Sequence, residues 1–112
     1  MPEILLHYIW QQRLWAQMEQ YTTDGLTMEV LSVGEHNRDA GPDFSHAHLR
    51  IGQQEWVGNV QRHVRASDWR RHQHHTNPAY DNVILHVVCD ADEQAYNSRG
   101  EAIKQCVLRY PQ

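Results

Sequence analysis

The stretch FSHAHLRIGQQEWVGNVQRHV, residues 44–64, decides the fold. From Phe44 to Ile51 it alternates Phe44, His46, His48 and Arg50 with Ser45, Ala47, Leu49 and Ile51. That period of two places successive side chains on opposite faces of a strand. Gly52-Gln53-Gln54 is a hairpin-like turn. A longer strand follows from Glu55 to about Val64, with Trp56, Gly58, Val60, Arg62 and Val64 opposed to Val57, Asn59, Gln61 and His63. The stretch is a β-hairpin, and the rest of the chain has to cover it.

Toward the N-terminus lies a polar loop, residues 34–43, punctuated by Gly and Pro. Before it, Leu26 to Val33 reads as a strand entered through an Asp24-Gly25 turn. Residues 3–20 read as an amphipathic helix carrying Leu5, Tyr8, Ile9, Trp15 and Met18 on one stripe, with Pro2 and Glu3 suited to its first turn. Toward the C-terminus, Ser67 reads as the N-cap of a short helix over 68–74, and 77–82 as loop. Val83 to Cys89 is the most apolar segment and predicts a central strand. A terminal hairpin is predicted from Gln94–Asn97 and Ile103–Leu108, turning at Ser98-Arg99-Gly100. The expected architecture is α+β: one domain, residues 1–112, with the N-terminal helix packed on a mixed, mainly antiparallel sheet of five to six strands.

Composition narrows the function. The chain has 112 residues, 40% of them hydrophobic and 21% charged, and a formal charge of −4, which excludes a disordered tail and a global electrostatic grip on nucleic acid. No apolar run approaches the ~20 residues of a membrane span, and the N-terminus lacks a secretory pattern. Cys89 and Cys106 each sit in an apolar run, as buried thiols of a cytoplasmic protein do; a disulfide between neighbouring strands is the alternative. Ser67 has no nucleophile elbow around it, so its helix-capping role is the expected one.

Two constellations carry chemistry. Asp43 and Gln61 stand 18 residues apart on adjacent strands, with His63 two positions further along the same strand. A carboxylate and a neighbouring oxygen ligand suit Mg²⁺ or Mn²⁺, and a basic group on the same face suits a developing phosphate charge. Asp43, Gln61 and His63 are therefore the candidate catalytic residues, Asp43 and Gln61 the metal ligands, and His36, Asp39, Arg62 and Arg65 the phosphate-orienting groups. Arg62, Arg65, Arg70 and Arg71 also fall close together, so a local contact with nucleic acid survives the overall negative charge. The second constellation is histidine itself, 9 of 112 residues. His72 and His75 share a helix face at i, i+3, and with His86 they form an alternative site for Zn²⁺. His63 and His74 lie nearby, whereas His7, His46 and His48 read as structural.

The runs His36-Asn37-Arg38-Asp39-Ala40-Gly41-Pro42-Asp43-Phe44, Gly58-Asn59-Val60, Ser67-Asp68-Trp69, His72-x-His74-His75 and Pro78 to Val88 closely resemble a family of uncharacterised bacterial proteins known only as a domain of unknown function. The resemblance covers nearly the whole chain. It implies that this chain is the N-terminal region of a longer architecture. It also implies that position 61 is usually Glu, which makes Gln61 a departure. A looser resemblance to the PD-(D/E)xK restriction-endonuclease-like fold, with its αβββαβ order, rests on Asp43, position 61 and His63. The expected function is a nuclease-like nucleic-acid-processing domain, degenerate at Gln61. The alternatives are an interaction module that pairs with a second copy or a downstream region, and a histidine-ligated transition-metal domain.

Overall fold

A computed structural model describes residues 2–111. Helix α1 spans Glu3–Gln11 and is followed by five strands: β1 (Gln20–Tyr21), β2 (Thr27–Ser32), β3 (Glu35–His36), β4 (Phe44–Ile51) and β5 (Gln54–Arg65). A single helical turn, α2 (Asp68–Arg71), and two 3-10 turns (His74–Thr76 and Pro78–Tyr80) lead into β6 (Val83–Asp90), and β7 (Gln105–Val107) closes the order. The architecture is α+β, with one N-terminal helix on a mixed sheet.

The sheet runs β1-β2-β4-β5-β6-β7, with β3 also paired to β4. Pairs from β1 to β5 are antiparallel, while β5–β6 and β6–β7 are parallel. The two ends of the sheet approach each other. Thr23 N–H donates to the Gln105 carbonyl at 2.8 Å, and the buried Gln20 amide clamps both backbone groups of Arg109 at 2.7 and 2.9 Å. The sheet is nearly a barrel.

Its concave face is the main core. Met28, Val30, Phe44, Ala47, Leu49, Ile51, Val60, Leu85 and Val87 meet Leu6, Ile9 and Trp10 of α1. A second cluster, Trp69, Tyr80, Val83, Ala95 and Ile103, forms apart from the first and lies beside the histidines of β5 and β6. Alternation along β5 splits its residues between the two: Val60 joins the core under α1, and the buried Gln61 and His63 point the other way. Among the described residues no helix is long and apolar enough to cross a membrane.

Several boundaries differ from the sequence reading. The first helix stops at Gln11 instead of continuing to 20. Arg13 takes a left-handed conformation (φ 58°), its N–H bonds the Trp10 carbonyl at 3.2 Å, and Leu14 N–H bonds the Ile9 carbonyl at 3.1 Å. That is a Schellman ending with Arg where Gly is usual. Tertiary contacts hold it: the Arg13 guanidinium reaches the Val30 carbonyl at 3.3 Å and lies 5.0 Å from the Trp15 ring. In β4, His46 (φ 59°) opens a bulge between Phe44 and Ala47, so Phe44, Ala47, Leu49 and Ile51 are all buried where strict alternation put Phe44 opposite the other three. Ser67 does not cap α2; its N–H and hydroxyl both bind the Asp92 carboxylate, at 2.9 and 2.7 Å. The terminal hairpin reduces to one bridge, Tyr96–Ala102, because Gln105–Val107 pairs in parallel with β6.

Gly34 shows how tightly the loop before β4 is folded. Its φ is +86°, and a Cβ there would stand 2.6 Å from the Ser45 carbonyl oxygen. Gly34→Ala is expected to cost about 2–4 kcal/mol, combining the left-handed penalty with overpacking. A urea melt checks this, and a loss under 1 kcal/mol would mean the loop simply moves.

Candidate metal centre

Burial and register assemble the site on the face of β5 and β6 away from α1. Parallel pairing sets Gln61 opposite His86, His63 opposite Val88, and His86 opposite Gln105. His63 (1% exposed), His86 (0%) and Gln105 (3%) are thereby packed side by side across three strands. His63 Nδ1 lies 2.8 Å from His86 Nε2, and His86 Nδ1 lies 2.8 Å from Gln105 Oε1.

The segment after α2 supplies the rest. The helix ends at Arg71, and Gln73 turns left-handed (φ 62°) before the 3-10 turn. This break replaces the longer helix expected over 68–74. It brings His72 and His74, not the i, i+3 pair His72 and His75, onto His63. Ring centroids are 5.0 Å from His63 to His72, 5.3 Å from His63 to His74 and 5.7 Å from His72 to His74. One ligand nitrogen from each of the three falls within 4.8 Å of the others. His74 is sandwiched by aromatic rings, stacked on Tyr80 at 3.7 Å and edge-on to Trp69 at 5.3 Å. Trp69 is fixed in turn by its indole N–H to the Tyr96 carbonyl at 2.8 Å.

His74 is the anomaly. It is buried, and neither ring nitrogen has a hydrogen-bond partner. Leaving a buried polar group unpaired costs about 1–3 kcal/mol, so it needs a reason. Burial drives its pKa down to about 4, with neighbouring imidazoles adding to the shift. Burial does the same to His63, down to about 2, and to His86, down to about 4. All three are therefore neutral imidazoles near pH 7, the form that carries a free lone pair. His72 is exposed, so the cluster opens to solvent on that side.

The other predicted residues form a separate arrangement. Asp43 and Gln61 do meet, but through the Asp43 backbone N–H, which donates to Gln61 Oε1 at 3.0 Å. The Gln61 oxygen is thus already engaged, and its amide nitrogen stands 3.5 Å from His63 Nε2. The Asp43 carboxylate accepts the Arg62 backbone N–H at 3.0 Å and sits 3.5 Å from the Arg62 guanidinium. Burial raises the Asp43 pKa against the lowering influence of those Arg62 contacts. Arg62 also donates to His7 Nδ1 at 2.9 Å and approaches Glu3 at 3.6 Å. His36 is exposed on β3 with its ring against His7, Asp39 lies in the exposed loop, and Arg65 is exposed at the end of β5. Of the remaining arginines, Arg70 pairs with Glu93 at 3.0 Å and Arg71 with Asp68 at 3.8 Å. His75 stands outside the three-histidine group with Nδ1 buried and unpartnered, and His86 is engaged on both nitrogens.

The sequence reading groups His63, His72, His74, His75 and His86, but takes His72, His75 and His86 as the metal ligands, gives His63 to the Asp43 site and gives His74 no role of its own. The motif His72-x-His74 held the signal: alternate residues share a side in an irregular turn, whereas only i, i+3 or i, i+4 pairs do so in a helix. A family model described as "Protein of unknown function (DUF2851)" matches residues 3–111. No curated protein and no solved structure matches the chain.

Proposed function

Since the chain belongs to the DUF2851 family, whose description names no activity, its role has to come from its own site, and we propose that it is a transition-metal-binding domain. His63, His72 and His74 are the ligands. One observation carries the reading: a buried histidine with two orphan nitrogens stands inside a group of three imidazoles, one ligand nitrogen of each within 4.8 Å of the others. Imidazole sets suit Zn²⁺, Co²⁺, Ni²⁺ or Fe²⁺ in preference to Mg²⁺. Three protein ligands with a solvent-facing side leave a position open, which is the pattern of sites that activate water for hydrolysis.

Co²⁺ titration of the chelator-treated protein tests this. One equivalent is expected to bind with the visible absorption of a four-coordinate site. His72→Ala, an exposed change that spares the fold, is expected to weaken binding at least tenfold. The absence of stoichiometric binding, or an unaffected His72→Ala variant, would defeat the proposal.

A second reading keeps Mg²⁺ or Mn²⁺ at Asp43 in a nuclease-like domain. It is favoured by the contact between Asp43 and Gln61 and by the longer elements: α1, β2, β4, β5, α2 and β6 run in αβββαβ order. Against it, the Gln61 oxygen and the Asp43 carboxylate both have protein partners. The readings separate cleanly, because Asp43→Ala removes divalent-ion binding only under the second.

A further inference from the structure

The three-strand contact behind His63 has a direction. Gln105 Nε2 donates to the Glu93 carbonyl at 3.1 Å, which turns Gln105 Oε1 toward His86 Nδ1, 2.8 Å away. An amide oxygen only accepts, so His86 carries its proton on Nδ1. A neutral imidazole has one N–H, which leaves His86 Nε2 as an acceptor. The atom 2.8 Å from it, His63 Nδ1, must then be the donor. His63 Nε2 is consequently bare.

The opposite side of the ring is compatible with that tautomer. Asp43 N–H donates to Gln61 Oε1 at 3.0 Å, which leaves the Gln61 NH₂ group as the atom facing His63 Nε2, at 3.5 Å. A donor faces that nitrogen from one side while an acceptor faces Nδ1 from the other. The 2.8 Å contact with His86 sets the Nδ1–H tautomer, and the Gln61 contact, too long at 3.5 Å to hold the Nε2 lone pair, only agrees with it.

We propose that Gln105 and His86 are positioning residues, a fixed relay across β7, β6 and β5 that presents the bare Nε2 of His63 to a metal ion. The proposal rests on the three-histidine reading for its purpose, but its geometry belongs to the protein without metal. Outer partners of ligating histidines commonly act this way, orienting the ring and setting which nitrogen binds. Here the outer partner of the ligand is a second imidazole, so the relay has two links. Removing the terminal acceptor frees His86 to move its proton to Nε2. It would then donate to His63 Nδ1, push the His63 proton onto Nε2 and block the ligand atom from two residues away.

The test is imidazole ¹H–¹⁵N long-range NMR on metal-free protein, with Co²⁺ affinity measured in parallel. Both His63 and His86 are expected as Nδ1–H tautomers. Gln105→Met is expected to convert His63 to the Nε2–H form and to lower Co²⁺ affinity about tenfold to a hundredfold. Gln105→Glu keeps an acceptor and is expected to retain the original tautomers and affinity within a few-fold. Wild-type protein with His63 protonated on Nε2 overturns the relay, even if Gln105→Met fails to fold. So does a folded Gln105→Met variant with unchanged tautomers. Correct tautomers in a wild-type protein that binds no Co²⁺ would instead overturn the metal reading and leave the relay standing.

Discussion

Replacing His74 by Phe is expected to stabilise the metal-free domain by about 1–3 kcal/mol while abolishing its response to metal. The side chain is buried, neither ring nitrogen is hydrogen-bonded, and its ring stacks on Tyr80 at 3.7 Å. Phe keeps the stacking and removes two unpaired polar atoms. In wild-type protein, Zn²⁺ at a thousandfold above its Kd should add about 4 kcal/mol. The variant should gain almost none of it. Most core substitutions destabilise, so a gain in stability coupled to a lost ligand response marks a residue kept for binding. Urea melts with chelator and with Zn²⁺ read both quantities. A His74→Phe variant less stable than wild type, with its Zn²⁺ response intact, would show that His74 is ordinary core.

Acid is expected to unfold the metal-free domain between about pH 6 and pH 4, above the range in which most carboxylates titrate. His7, His74 and His86 have pKa values lowered from 6.5 to about 4, and His63 to about 2, in each case mainly by burial. The sign follows from which state binds protons first. The unfolded chain takes them up at its ordinary pKa, while the folded chain resists. The neutral histidines therefore cost nothing above about pH 6.5, and stability is lost as pH falls from there toward the folded values. Each such group contributes a slope of at most about 1.4 kcal/mol per pH unit. Four acting together give up to about 5 kcal/mol per unit, comparable to the whole stability of a small domain. Asp43 works in the opposite direction, because burial raises its pKa and makes its protonation favour the folded state at lower pH. One carboxyl offsets only part of four imidazoles. Circular dichroism against pH checks the midpoint, and saturating Zn²⁺ should move it down. A midpoint below pH 4 without metal would contradict the burial of these rings.

The hairpin that organises the sheet was legible because its residues alternate and its turn is marked by Gly52. The strand at Phe44–Ile51 has the predicted limits, and Val83–Asp90 is one residue longer than predicted. Departures occur where a distant contact overrides a local preference. Arg13 ends α1 because Val30 and Trp15 hold its guanidinium, and no glycine advertises that ending. Ser67 abandons its cap for Asp92, 25 residues away. The candidate site divides in the same way. Asp43 and Gln61 were expected to meet and do, yet the meeting runs through a backbone N–H, which no spacing argument could foresee.

By itself the sequence determined the hairpin of β4 and β5, the apolar strand β6, and that histidine is concentrated around β5, α2 and β6, because period and composition are local properties. Tertiary structure alone decided which histidines converge. That choice depends on the parallel register of β5 and β6, on the left-handed Gln73 that ends the short helix, and on the burial of His74 against Tyr80. Each sums contacts between residues far apart in the chain, and a cluster of ligand nitrogens exists only once those contacts have formed.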